Sequence, residues 1–296
     1  MLQKKPCLLI LAAGMGSRYG GLKQMDVFGP GGQTIMDFSI YDAKLAGFEQ
    51  VVFVIRKSFA DAFIAQMKQK WEDKMQLDFV FQETDDIPPV HVKINNRDKP
   101  WGTAHAVWVA RDVINGPFGV INADDYYGRE AMNMLYKELL DDKQYSLVAY
   151  PILDTLSEHG TVNRGVCKVD EQGHLLAIKE CKNIEPYPKI AYLENGMKIE
   201  LSETSMVSMN MWALRSDFFC WAEVYFKEFL IAKGNEQSSE FYIPDVIQRL
   251  MQEEQKIISV VNSGSKWYGV TYQEDKPIVE TAFLQMIQNG LYPKVM

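Results

Sequence analysis

Leu9-Ile-Leu-Ala-Ala-Gly-Met-Gly-Ser-Arg-Tyr-Gly-Gly-Leu-Lys-Gln24 is the stretch on which the reading of this chain turns. The apolar run from Cys7 to Ala13 has the length and composition of a buried strand. It breaks directly into Gly14, Gly16, Gly20 and Gly21, interleaved with Arg18 and Lys23. Glycines let a backbone approach a ligand and present its N–H groups, and two cations can neutralise a polyphosphate. The pattern predicts a phosphate cradle at the carboxyl end of a first strand, where open α/β sheets place their ligands.

Two common phosphate loops fail here. A dinucleotide fingerprint requires a third glycine where Tyr19 stands, and an acidic residue after the second strand, where Val51–Ile55 runs instead into Arg56. A P-loop starting at Gly16 finds its second glycine at Gly21 but needs lysine where Leu22 stands. The stretch resembles instead the signature of the sugar-phosphate nucleotidyltransferases, L-A-(A/G)-G-x-G-x-R followed by K. The matching positions are Leu11, Ala12, Ala13, Gly14, Gly16, Arg18 and Lys23.

The bulk properties agree with such a protein. At 296 residues, with 47% apolar and 24% charged side chains, the chain has the composition of a globular protein. A net charge of −8 argues against a nucleic-acid surface and makes a local Arg18/Lys23 pair more telling. Cys7, Cys167, Cys181 and Cys220 are scattered, with neither a C-x-x-C spacing nor a histidine cluster, so they read as thiols in a reducing compartment. Lys4-Lys5 before an apolar run superficially resembles a signal peptide, but cleavage would remove part of the cradle. No stretch approaches the roughly 18 apolar residues of a membrane span. A cytoplasmic protein without membrane or nucleic-acid partners is expected, with homo-oligomerisation left open.

Working outward, a helical pattern covers Met36 to Ala46, closed by Gly47, and Val51–Ile55 reads as a second strand. Ala60–Met75 is helical and Leu77–Gln82 a third strand. Residues 83–101 form a polar loop long enough to suggest a functional role. Thr103 is expected to cap a helix through Arg111, and Phe118–Asn122 to form a fourth strand ending at Asp124-Asp125. The alternation predicts an α/β fold: a mostly parallel, twisted sheet with helices on both faces, in three layers. In the second half, helices are expected at 132–140, 217–233, 242–254 and 276–289. Strands are expected at 146–150 and 207–214, with a hairpin flanking Glu171-Gln172-Gly173. No linker interrupts the chain, so one domain over 1–296 is expected, with a nucleotide-binding half (1–130) and a sugar-phosphate half (131–296).

Further segments resemble the same family in the order it uses. They are Gly102-Thr103-Ala104-His105-Ala106-Val107, Ile121-Asn122-Ala123-Asp124, Ser208-Met209-Asn210-Met211-Trp212 and Glu240-Phe241-Tyr242-Ile243-Pro244-Asp245. The resemblance runs from residue 8 to about 275. It implies a GT-A-like, Rossmann-like fold and the reaction of a nucleoside triphosphate (NTP) with a sugar 1-phosphate, giving a nucleotide sugar and pyrophosphate. In those terms Arg18 and Lys23 are catalytic cations. Leu11, Ala12, Ala13, Gly14, Gly16, Ser17, Gln82, Gly102 and Thr103 bind the nucleotide. Gly165, Glu180, Lys182 and Asn210 bind the sugar phosphate, and Asp124 and Asp125 hold Mg2+. His105 reads as a structural helix residue. The reaction displaces pyrophosphate with an oxygen that is already ionised, so catalysis consists mainly of positioning and charge neutralisation.

Two departures leave choices open. Relatives often carry a base-reading glutamine about five residues before the G-T pair. Here Arg97 stands in that place, and Gln82 lies twenty positions upstream, in reach only if residues 83–101 fold back. Their W-x-D-x-G-T segment, often a source of a second metal ligand, appears as Trp267-Tyr268-Gly269-Val270-Thr271, with glycine in place of aspartate. Asp125, Glu274 and Asp275 are candidates to replace it. A pyrimidine nucleotide, UTP or dTTP before CTP, is expected. Two alternatives stand: a cytidylyltransferase acting on a non-sugar phosphate such as phosphocholine, and a nucleotide-binding regulator that has lost turnover.

Overall fold

The structure, a computed structural model, describes residues 5–14, 25–141 and 145–296. In chain order its elements begin β1 (Cys7–Leu11), α1 (Ile35–Ala46), β2 (Gln50–Ile55), α2 (Ala60–Trp71), β3 (Gln76–Phe81) and α3 (Thr103–Trp108). There follow β4 (Phe118–Asn122), β5 (Asp125–Tyr126), α4 (Arg129–Leu140), β6 (Tyr145–Pro151), β7 (Val162–Val169) and β8 (Leu175–Ile184). The chain continues through β9 (Ala191–Glu194), β10 (Met197–Glu200), β11 (Met206–Leu214), α5 (Asp217–Lys233) and α6 (Ile243–Glu253). It ends with β12 (Ile258–Asn262), β13 (Tyr268–Gly269) and α7 (Lys276–Gln288).

The main sheet runs in the order β12-β6-β11-β4-β1-β2-β3, and β7 and β8 extend it as a wing from β11. Along the main path only β11 is antiparallel to its neighbours; Leu9 of β1 stands between Val52 of β2 and Val120 of β4 in parallel register. The central strands are continuous apolar runs because both faces are covered, as parallel sheets require. Residues alternate between two cores. Leu9, Val52 and Val54 face a core built with α3, α5 and α6, and Leu8, Ile10, Val51, Phe53 and Ile55 face one built with α1, α2 and α4. That is the expected α/β sandwich with helices on both faces. A third, aromatic-rich cluster of Phe38, Tyr126, Phe283 and Tyr292 packs α7 against α1 and β5.

Local signals account for most boundaries. Thr34 and Asp37 close a capping box at the start of α1, with Thr34 N donating to Asp37 Oδ2 at 2.8 Å, and Gly47 ends the helix at φ 115°. The expected cap of α3 is different. Gly102 occupies the cap position at φ 109°, and the Thr103 hydroxyl accepts from the backbone N–H of Ile243 at 3.1 Å. The hydroxyl is committed to a tertiary contact, and the helix ends after six residues at Trp108 before running into turns. Helix α2 stops at Trp71 and not Met75, because the Trp71 carbonyl takes the N–H groups of both Lys74 and Met75 in a turn.

Strand β11 changes partner part-way. Val207 and Ser208 pair with Val166 and Gly165 of β7, whereas Trp212–Leu214 pair with β4. The switch is made by an irregularity between Ser208 and Trp212, where Asn210 adopts φ 62°, a left-handed conformation that asparagine tolerates better than most residues.

Candidate active site at the carboxyl ends of the parallel strands

Four groups of predicted residues can be followed in the structure. At the end of β1, Leu11 is half-buried, Ala12 and Ala13 are buried, and Gly14 is exposed. Ala12 N donates to Val54 O at 2.8 Å, fixing the exit of the strand. Gly16, Ser17, Arg18 and Lys23 lie outside the described residues.

The second group closes the twenty-residue gap noted in the sequence. Gln82, at the end of β3, donates from Nε2 to Gly102 O at 2.9 Å. The loop between them is stitched down by Arg97, whose guanidinium stacks 3.9 Å from the Trp101 ring centroid. That guanidinium donates to Lys99 O at 2.6 Å, Ser239 O at 2.8 Å and Gln237 O at 3.2 Å. Arg97 is 6% exposed and is therefore a clasp for residues 83–101. The Trp101 indole donates to Thr84 O at 2.9 Å, so Trp101 belongs to the clasp as well. Gly102 is obligatory in this conformation: besides its positive φ, a Cβ there would stand 2.5 Å from Phe241 O. Phe241 O in turn accepts from Ala104 N at 3.0 Å, so the segment preceding α6 buttresses the Gly102-Thr103 turn.

The third group is a one-way chain of hydrogen bonds between the end of β4 and the irregularity within β11. Trp212 Nε1 donates to Asn210 Oδ1 at 3.1 Å and Asn210 Nδ2 to Asn122 Oδ1 at 2.8 Å. Asn122 Nδ2 then donates to Asp125 Oδ2 at 2.8 Å. Each donor points toward the carboxylate, so the bonds reinforce one another in one direction. Tyr127 braces the turn from beneath: its hydroxyl donates to Met209 O at 2.8 Å and accepts from Asn122 N at 3.0 Å. Burial and the nearby Asp125 charge push that phenol well up, so it stays protonated. Asp124 is half-buried in the turn that follows β4, and Asp125 is buried at the start of β5.

Asp125 pairs directly across β5–β13 with Gly269. A Cβ at 269 would lie 2.3 Å from the Trp267 ring and 3.0 Å from Asp125 Oδ1. The carboxylate of Asp125 therefore borders the space that a side chain at 269 would enter. Asp275 is spent elsewhere: it accepts from Ser157 Oγ at 2.9 Å and from the N–H groups of Thr271 and Tyr272 at 3.0 and 2.8 Å. Arg164, which the sequence reading passed over, is buried, with Asp125, Glu180 and Asp275 acting on its charge. Desolvation brings its guanidinium down to about 10. Its signal was positional: it precedes Gly165 on β7 and so projects to the opposite face.

The fourth group lies on the wing. Gly165 pairs with Glu180 across β7–β8, and Ser208 pairs with Gly165 on its other side. Glu180 is exposed, and its charge acts on the Tyr242 hydroxyl at the start of α6. Lys182 sits where the β7–β8 register slips, beside Asn183 at φ 54°, and its charge acts on Glu180. Asn210, by contrast, is tied into the chain leading to Asp125.

A sequence model of the nucleotidyl transferase family matches residues 8–275. The chain belongs to that family. No curated protein matches the transferase in sequence. Among solved structures it is similar to the inositol-1-phosphate CTP transferase from T. maritima, with 12% identity over 96% of this chain and 97% of that one and a TM-score of 0.66. It is also similar to a UDP-glucose pyrophosphorylase complexed with UDP-glucose, with 15% identity, 95% and 99% coverage and a TM-score of 0.62. For HddC from Yersinia pseudotuberculosis the figures are 15%, 94% and 99%, and 0.57. At such identities these likenesses establish the shared fold.

Among the described residues of the transferase no three metal-ligating side chains converge. Asp124 and Asp125, adjacent in the chain after β4, are the residues that would hold a magnesium ion, which takes one or two protein carboxylates and completes its octahedron with phosphates and water. Likewise among the described residues, no helix is long and apolar enough to cross a membrane.

Proposed function

We propose that this transferase moves a nucleoside monophosphate from an NTP to a sugar 1-phosphate, releasing pyrophosphate. The observation that carries the proposal is convergence. The Gln82–Gly102–Thr103 turn, the exit of β1 and the Asp124-Asp125 pair follow the carboxyl ends of β3, β1 and β4, three of the four consecutive parallel strands β3-β2-β1-β4. Those three elements would receive the base, the triphosphate and the metal-binding end of the nucleotide in turn. Residues 1–130 would then carry the nucleotide and 131–296 the acceptor.

In this reading Leu11, Ala12, Ala13, Gly14, Gly16 and Ser17 cradle the triphosphate. Arg18 and Lys23 neutralise charge on the leaving and reacting phosphates as the in-line displacement proceeds. Mg2+ held by Asp124 and Asp125 would supply Lewis-acid neutralisation. Gly165, Glu180, Lys182 and Asn210 face the acceptor. Gln82, with Gly102 and Thr103, reads the base, and uracil or thymine is preferred. Both N–H groups of its amide are committed, to Gly102 O and His105 Nδ1, which leaves its carbonyl oxygen to accept from an imide N–H.

The test is a panel of UTP, dTTP, CTP and GTP against several sugar phosphates and phosphocholine, read as magnesium-dependent pyrophosphate release. Release with a sugar 1-phosphate and UTP or dTTP is expected. A second reading, a nucleotide-binding regulator without turnover, is favoured by the absence of a carboxylate at Gly269. Tight nucleotide binding with no pyrophosphate release from any pair would establish it instead.

A further inference from the structure

His105 is fully buried in α3, against Trp108 and Phe226. Its ring joins two backbone carbonyls through Gln82. His105 Nε2 lies 2.7 Å from Asp86 O, His105 Nδ1 lies 3.2 Å from Gln82 Nε2, and Gln82 Nε2 lies 2.9 Å from Gly102 O. A carbonyl oxygen can only accept. The Asp86 carbonyl therefore fixes the proton on His105 Nε2, which leaves Nδ1 as an acceptor. The Gly102 carbonyl independently requires the nitrogen end of the Gln82 amide. Both ends of the chain impose the same polarity, and the two N–H groups of Gln82 are used up.

Reversing the Gln82 amide would set oxygen against the Gly102 carbonyl and against the Nδ1 lone pair at once. Each unmet or repulsive buried polar contact is costly, so the reversed state is suppressed. The carbonyl oxygen of Gln82 makes no hydrogen bond among the described residues. Burial also keeps the ring neutral, with its pKa down to about 4, so the polarity holds across the working pH range.

We infer that His105 is a positioning residue for base selection: by fixing the Gln82 amide it presents an acceptor to the base, favouring uracil or thymine, which donate at N3, over cytosine, which accepts there. The inference rests on the reading of Gln82 as a base contact. His105 touches no base itself.

The test compares wild type and His105→Phe, which keeps a ring against Trp108 and Phe226 but offers no acceptor. Initial rates of pyrophosphate release are measured with UTP, CTP and 3-methyl-UTP, which lacks the N3 proton. Wild type should favour UTP over both. In His105→Phe the UTP-to-CTP ratio of kcat/KM should fall by roughly tenfold or more, through a higher KM for UTP, since one of the two restraints on the amide is gone. A wild-type preference for UTP with an unchanged ratio in His105→Phe overturns the role of His105 and leaves the base reading intact. A wild-type preference for CTP, or indifference to 3-methylation, overturns the base reading and the inference with it. Nitrogen NMR of the wild-type imidazole needs no variant to fold. A protonated Nε2 with bare Nδ1 from pH 6 to 8 is expected, and a proton on Nδ1 overturns the inference.

Discussion

Gly269 looks like a lesion that a single aspartate would repair, and the geometry says otherwise. A Cβ there would meet the Trp267 ring at 2.3 Å, and a carboxylate beyond it would join Asp125 as a like charge. Gly269→Asp should lower stability by about 1–3 kcal/mol through overpacking, without tightening the magnesium requirement. Denaturant unfolding and a magnesium titration check both halves, and a stable variant that needs less magnesium would refute the closed position. Asp124→Asn should nearly abolish turnover and raise the magnesium requirement. Wild-type behaviour in that variant, or full activity in EDTA, would dispose of the metal role. Lys23→Ala and Arg18→Ala should each lose at least about two orders of magnitude in rate while remaining folded, the usual scale for a preorganised electrostatic contact. Near-normal turnover in either would remove its cation from the catalytic assignment.

At the scale of elements, the long periodic segments were legible and the short ones were not. The apolar run Val51–Ile55 and the patterned Asp217–Lys233 met their expected bounds closely. The two-residue ribbon of β5 and β13 has no periodicity to read, yet it brings Gly269 opposite Asp125. Strand β12 and the β9–β10 hairpin also carried no decisive pattern. Of the candidate site, Gln82, Gly102 and Asp125 were named from the sequence. The bonds joining them were not, since nothing in the sequence ties Arg97, standing in the usual glutamine's place, to its three carbonyl partners. Arg97→Ala should therefore weaken the loop as a unit. It leaves the carbonyls of Lys99, Gln237 and Ser239 short of a donor and uncovers Trp101, for a loss of roughly 2–3 kcal/mol. KM for the nucleotide should rise more than KM for the acceptor. Equal increases would argue against a link between the loop and the base.

For the whole molecule, the two cores on opposite faces of the sheet set stability, and the buried His105 ring adds a pH dependence to it. Unfolded, the His105 ring binds a proton near pH 6.5; folded, near 4. Between those values the unfolded chain takes up more protons at this ring, so its contribution to stability is full above about pH 6.5 and is lost as pH falls toward 4. The loss reaches up to about 3 kcal/mol, from 1.36 kcal/mol per pH unit. Unfolding measurements from pH 7 to 4 should show this decline, and His105→Phe should flatten it. An equally steep decline in the variant would assign it to other groups.

Because Gln82 and Gly102 meet through a hydrogen bond across the mouth of a loop, their closeness in space does not depend on closeness in sequence. A linear pattern written with a fixed gap before the glycine–threonine pair will pass over chains built like this one. A query keyed to a glutamine at the end of the third strand and a glycine at the head of the next helix, with any length between, would retrieve them. What fills that gap is not free, because residues 83–101 carry the Asp86 carbonyl that orients His105 and the Arg97–Trp101 clasp that holds the turn.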